Sequence, residues 1–196
     1  EMQRLKILIS SMLNLTKFDN GTIEIHYQLF PIQDLAFRTI LMFESRLEKR
    51  NITLEGLDSE PVQVWGDPDL IGQVIYNLFE NATKFVNTGG TITFTFKDEP
   101  NNTSIAIRNT GAGISKEELP KIFERFYKSD DSRSHDKTGL GIGLDITKHI
   151  VRLHKAQISV SSEEGEYTEF LIRLPKKDAP AESPTENPEK QPKDAR

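Results

Sequence analysis

The chain has 196 residues, 36% of them hydrophobic and 28% charged, which suits one packed globular domain. Its net charge of -5 disfavours nonspecific nucleic-acid binding, which depends on neutralising phosphates. It has no cysteine, which excludes disulfides and thiolate metal sites and fits a reducing compartment, and no apolar run approaches the ~20 residues of a membrane helix. No signal peptide is visible, and Glu1 in place of Met leads us to expect a piece of a longer protein.

Residues 3–19 carry Leu5, Leu8, Met12 and Leu15 at helical spacing, an amphipathic seam that Asp19-Asn-Gly21 ends. A helix this short wants a partner. It either packs on its own domain or is the end of a longer helix, and a pattern already running at residue 3 favours the second. Residues 22–28 alternate like a strand, with Ile23, Ile25 and Tyr27 on one face. Pro31 opens a helix whose apolar face is Ile32, Leu35, Ala36, Ile40, Phe43 and Leu47. Short strands are expected near 52–54 and 62–65.

Asp67-Pro68 combines an N-cap with a proline at the first helical position, and predicts a helix to about Phe85, broken by Asn87-Thr-Gly-Gly90. Residues 91–97 and 103–109 alternate and read as a hairpin around Pro100-Asn-Asn102. A short helix near 116–123 follows. Residues 128–139 are polar and irregular, about the length of a lid. A helix at about 141–154 and strands at 157–162 and 168–174 complete the domain. From Lys176 to Arg196 no aliphatic residue beyond Ala appears, so burial cannot offset ordering entropy and a disordered tail is expected. The expected class is α/β: a two-layer sandwich of a mixed, mostly antiparallel sheet with helices on one face.

Four segments carry chemistry. On the helix from Asp67, the positions Asn77, Glu80, Asn81 and Lys84 share one side, and Leu70, Ile71, Val74, Ile75, Leu78, Ala82 and Phe85 the other. A polar side is ordinarily a solvated face, but this one is rich in amides. An Asn oxygen suits Mg²⁺, a hard cation that keeps waters beside substrate phosphates, and Lys84 would meet a phosphate as a point charge. Glu80, the carboxylate of that face, reads as a solvent-facing residue. Asn109-Thr-Gly-Ala-Gly-Ile114 ends a strand in a glycine turn, which alone fits any tight connection. Ile122-Phe-Glu-Arg-Phe-Tyr-Lys128 is aromatic, and Phe123 and Phe126 fit a plain core. Gly139-Leu-Gly-Ile-Gly-Leu144 leads into a helix, where free amides suit phosphate oxygens. A dinucleotide fingerprint fails there, for want of a preceding parallel βαβ pattern and a ribose-binding acid.

In this order the four segments resemble the N, G1, F and G2 boxes of sensor histidine kinases. Phe170-Leu-Ile-Arg-Leu-Pro175 is similar to their closing strand, and the likeness covers roughly residues 1–175. The resemblance implies the Bergerat-type ATP-binding sandwich shared with gyrase, heat-shock chaperone and mismatch-repair ATPases. It implies ATP and Mg²⁺ as cofactors. Asn81 would be the principal Mg²⁺ ligand, with Asn77 beside it. Lys84 and Lys128 would touch phosphates and Phe85 would pack near the base. Gly111, Gly113, Ile114, Gly139, Leu140, Gly141, Gly143 and Leu144 would line the nucleotide, and Phe123 and Phe126 would anchor the lid.

Thr168 would hold the adenine edge, though it also fits an ordinary strand-surface Thr. Arg133 would reach phosphate on closure or stay a solvated charge. Hydrolysing relatives carry Glu at the place of Asn77; an amide cannot act as a general base, so transfer is expected rather than hydrolysis. The family's usual Asp in the G1 box is Asn109 here. An Asn oxygen still accepts a hydrogen bond from adenine, at roughly half the strength of a charge-assisted one.

The resemblance also implies that residues 1–20 end a second dimerisation helix, 21–175 form the catalytic domain and 176–196 the tail. His26, His135, His149 and His154 read as surface or structural, so the phosphoacceptor His is expected upstream. The expected partners are the protein's own dimerisation domain and a response regulator, with no nucleic acid. The full-length protein would be a membrane-anchored homodimer, and this stretch a monomeric cytoplasmic piece. Two alternatives stay open: a degenerate nucleotide-binding module acting through docking, and a relative phosphorylating Ser in an anti-sigma system.

Overall fold

The computed structural model describes residues 23–128 and 141–177. In chain order the elements are β1 (Gln28–Pro31), α1 (Ile32–Lys49), β2 (Thr53–Glu55), β3 (Gln63–Gly66), α2 (Pro68–Phe85), β4 (Thr91–Asp98), β5 (Asn102–Thr110), α3 (Gly143–Leu153), β6 (Gln157–Glu163) and β7 (Tyr167–Pro175). Five strands form the main sheet in the order β2-β4-β5-β7-β6, and β1 and β3 form a small antiparallel pair. Within the main sheet β2 and β4 run parallel and the other neighbours antiparallel. The expected mixed, mostly antiparallel sheet under helices is what the chain adopts.

Helix α2 is the centre of the helical layer. Asp67 has extended backbone and its Oδ1 accepts from the N–H groups of Asp69 and Leu70, satisfying two donors of the first turn. Leu70, Ile71, Val74, Ile75, Leu78, Phe79 and Ala82 are buried beneath it. They meet Ile92, Phe94 and Phe96 of β4, Ile105 and Ile107 of β5, and Phe170, Ile172 and Leu174 of β7 in one core. Phe79 links the layers, 5.4 Å centroid to centroid from both Phe43 of α1 and Phe94 of the sheet. Burying each such ring stabilises the fold by about 1.5–3 kcal/mol. Arg50, at the end of α1, clasps the far end of α2: its guanidinium donates to the carbonyls of Thr83 (2.7 Å), Lys84 (3.4 Å) and Val86 (2.5 Å).

Two expected elements differ. Residues 23–27 form no strand; Ile23 and Ile25 pack on the core, but the His26 N–H goes to Asp67 Oδ2 (2.9 Å), and ladder pairing starts only at Gln28, opposite Gly66. Residues 116–123 form successive turns instead of a helix. Leu119 N–H still reaches Ser115 O, but Pro120 has no N–H to continue the pattern and the chain turns again between Glu118 and Lys121. The stretches 1–22, 129–140 and 178–196, with the truncated helix, the lid and the tail expected of them, lie outside the described residues.

Candidate functional site

The polar side of α2 is not a solvated face. Asn77 is only 6% exposed. Its Nδ2 donates to the Gly143 carbonyl (3.0 Å) and lies 3.4 Å from Thr147 Oγ1, tying α2 to the first turn of α3. Both amide hydrogens are thus directed at α3, and the side-chain oxygen carries the remaining lone pairs. Asn81, one turn on, is partly exposed. Glu80 is not solvent-facing as expected: its side chain is 19% exposed and its Oε2 lies 3.4 Å from Lys84 Nζ, itself 17% exposed. The i,i+4 spacing brings the two together. Phe85 leaves the core side at the helix end and is 38% exposed.

The glycine turn docks on the end of α2. A Cβ at Gly111 would collide with the Phe85 carbonyl, and one at Gly113, whose φ is +71°, with the Glu163 carbonyl. Only glycine permits both close approaches. Before the turn, Asn109 of β5, Thr168 of β7 and Ser162 of β6 stand opposite one another across three strands. This polar row continues the sheet face that Ile107 and Phe170 cover further in, because residues two apart on a strand share a face. Asn109 and Thr168 are buried. Asn109 Nδ2 donates to the Thr110 carbonyl (3.1 Å), leaving its oxygen as the acceptor of the pair. Ser162 Oγ donates to the Tyr167 carbonyl (2.6 Å), lies 3.0 Å from Thr168 Oγ1 and accepts from the Ile114 N–H (2.8 Å). Ser162 was not expected in this row, although it shares the half-buried side of β6 with Ile158 and Val160, a period-2 pattern that could have placed it there.

The aromatic segment meets the start of α3. The Phe126 N–H donates to the Gly141 carbonyl (3.0 Å), and a Cβ on Gly141, at φ +68°, would lie 2.9 Å from the Tyr127 carbonyl. Phe126 is itself at φ +66° and 69% exposed, so the plain-core reading fails for it; strained, exposed backbone of this kind gathers at functional sites. Phe123 does pack inward, edge-on to Phe170 at 6.2 Å. Arg125 Nε lies 3.1 Å from Asp145 Oδ2 in the first turn of α3, a contact that sequence spacing does not signal. Leu144 packs partly buried against the core, and Lys128 ends this described stretch. Gly139, Leu140, Arg133 and His135 lie outside the described residues.

Residues 66–178 match the family model described as histidine kinase-, DNA gyrase B-, and HSP90-like ATPase. The chain belongs to this ATPase family. The sensor protein SrrB of Staphylococcus aureus (strain NCTC 8325 / PS 47) is 32% identical over 177 residues, 90% of this chain but 30% of SrrB. The chain thus spans about a third of that relative's length. The catalytic domain of histidine kinase ThkA superposes with a TM-score of 0.64 at 27% identity, over 76% of this chain and 97% of that one. ThkA in complex with the response regulator protein TrrA gives a TM-score of 0.67 at 23% identity, over 89% and 48% of the two chains. The fold is that of histidine-kinase catalytic domains.

Within this ATPase fold the N, G1, F and G2 segments are brought together pairwise: Asn77 with Gly143, Phe85 with Gly111, and Phe126 with Gly141. The helix that follows Gly141 has its N-cap at Ile142, with no side-chain cap among the described residues. Its other end is closed by a buried histidine. His154 Nε2 accepts from the Asp67 N–H (3.1 Å) and its Nδ1–H serves the Ile150 carbonyl (2.8 Å), so the ring is neutral and fully used. Burial lowers its pKa from the ordinary histidine value, against smaller raising effects of Ile150 and Asp67. His149 turns its Nδ1 to Asp145 O (2.9 Å). Both histidines of α3 are therefore engaged in structure.

Proposed function

We propose that the chain is the ATP-binding catalytic domain of a sensor histidine kinase. It holds Mg·ATP so that the γ-phosphoryl passes to a His on a separate dimerisation domain and from there to a response-regulator Asp. The observation that carries this reading is the Asn77–Gly143 bond, which joins the amide-bearing helix to the glycine-led helix start. Adenine would sit against the Asn109–Thr168–Ser162 row, with the Asn109 oxygen accepting from its amino group. Phosphates would meet the amides after Gly141 and the charges of Lys84 and Lys128. Lys84 would have to shift from Glu80, exchanging one largely buried ion-pair partner for another.

A metal here fits amide donors rather than a carboxylate cage: among the described residues no three His, Cys, Asp or Glu gather to hold one. Asn77 spends its N–H groups on α3, so the oxygens of Asn81 and Asn77 are what this helix offers. Mg²⁺ suits such a site because it keeps several waters and takes substrate phosphate as ligand. When bound it supplies charge neutralisation on the phosphates. The chain's own part is positioning. Asn77, an amide, cannot act as a general base on water, which supports transfer over hydrolysis.

The residues at 1–20 would end the second helix of the dimerisation domain, which carries the acceptor His, with the catalytic domain from 21 onward; Lys176, whose N–H donates to the Asn101 carbonyl (2.9 Å), and Lys177, whose Nζ lies over the Trp65 ring, belong to that domain rather than to the expected tail. The partner chains would be that dimerisation domain and a response regulator, the full-length protein a membrane-anchored homodimer, and this domain cytoplasmic. No helix among the described residues is long and apolar enough to cross a membrane.

Titration calorimetry tests the reading. The wild-type chain should bind ATP only with Mg²⁺, and Asn81→Ala should weaken binding by about tenfold or more, the loss of one good ligand. Absence of Mg²⁺-dependent binding would overturn the proposal. Binding without phosphoryl transfer to an added acceptor-His domain would favour the docking-module alternative.

A further inference from the structure

Asp145 stands in the first turn of α3, where a carboxylate favours the helix by opposing the partial positive charge of its N-terminus. That same field is what an incoming phosphate would use. The carboxyl is nearly buried, 10% exposed, so water screens it weakly. A bare carboxylate there would repel a triphosphate drawn to the same turn. Arg125 Nε sits 3.1 Å from its Oδ2, and the backbone beside Arg125 is pinned to the same helix start by the Phe126–Gly141 bond. His149 Nδ1 lies 3.3 Å from Oδ1 and 2.9 Å from the Asp145 carbonyl. The guanidinium, permanently charged, is the group that cancels the carboxylate.

We infer that Arg125 is a positioning residue for nucleotide: by neutralising Asp145 it keeps the N-terminus of α3 receptive to phosphate while tying the aromatic segment to that helix. This rests on the proposed ATP site. It assigns Arg125 no contact with substrate. Its effect on binding should scale with ligand charge.

The test is calorimetry on the full chain with Mg·ATP and, separately, with adenosine, which carries no charge. Arg125→Gln should weaken ATP by about tenfold at low salt, with a smaller deficit at high salt, and leave adenosine unchanged. Arg125→Gln with Asp145→Asn should recover ATP binding to within about threefold of wild type, since the uncancelled charge is gone. Arg125→Lys keeps the charge and should stay close to wild type. An Arg125→Gln chain that loses ATP and adenosine alike would mark a purely structural role and overturn the inference. So would a double variant no better than the single one, or an Arg125→Lys chain as weak as Arg125→Gln. A wild-type chain that binds adenosine but gains nothing from phosphates would sink it too. A wild-type chain that binds neither ligand overturns the site itself.

Discussion

Asn77→Ala separates the structural role of this amide from its proposed place beside a metal. The substitution removes a 3.0 Å bond to the Gly143 carbonyl and a weak 3.4 Å one to Thr147. The Gly143 carbonyl keeps another donor, Thr147 Oγ1 at 2.9 Å, so no buried acceptor is orphaned. The cost is therefore one ordinary hydrogen bond plus a small void, about 1–2 kcal/mol, and not the larger penalty of an unsatisfied group. For a folded unit of this size that lowers Tm by roughly 3–8 °C. Asn81→Ala, at a partly exposed position, should change Tm by less than about 1 °C because surface truncations cost little. Calorimetric melting of the two variants without nucleotide, followed by Mg·ATP titration, reads both effects. Both should weaken ATP; only Asn77→Ala should melt earlier. An Asn77→Ala chain with unaltered Tm would refute the reasoning that this side chain fastens α3 to α2.

Two more predictions follow from buried polar groups. Asn109→Asp should tighten ATP binding by giving adenine a charged acceptor, while costing about 1 kcal/mol of stability, because the bond from Nδ2 to the Thr110 carbonyl is lost. Unchanged or weaker binding by calorimetry would contradict the placement of adenine against the Asn109 row. His154 should make the fold acid-sensitive. Its pKa is lowered in the folded chain, so the unfolded chain takes up the proton first as pH falls below about 6.5. Stability then declines with falling pH, at up to about 1.4 kcal/mol per unit for this one proton, until the folded-state pKa is passed. Urea midpoints measured from pH 7.5 to 5.5 should fall for the wild type. His154→Gln should start lower and lose that part of the slope; an equal slope in both chains would rule His154 out as the cause.

Much of the scaffold is written in local pattern. The alternation of residues 91–97 and 103–109 gave a hairpin because one face of each strand is core, and β4 and β5 pair where expected. Asp67-Pro68 announced α2 to its first residue because both cap and proline act within one turn. The four motifs were legible through their order and their resemblance to a known family, since the glycine turn and the aromatic segment taken alone fit ordinary structure. Where local cues competed, reading failed. Alternation at 22–28 looked like a strand, yet among the described residues no strand pairs with 23–27, and Asp67 takes the His26 N–H instead. Pro120 broke a run that otherwise passed for helix.

What the sequence determined by itself is most of the elements and their buried faces, since these depend on neighbours within a turn or a strand. Only the tertiary structure decided which groups face each other. The Asn77–Gly143 bond spans 66 residues and the Asn109–Thr168–Ser162 row crosses three strands. The Arg125–Asp145 pair likewise bridges two motifs. No local periodicity encodes such meetings. They arise because burying the apolar faces of α2, α3 and the sheet fixes the helices over the strands, and the polar groups at the rims are then carried into contact.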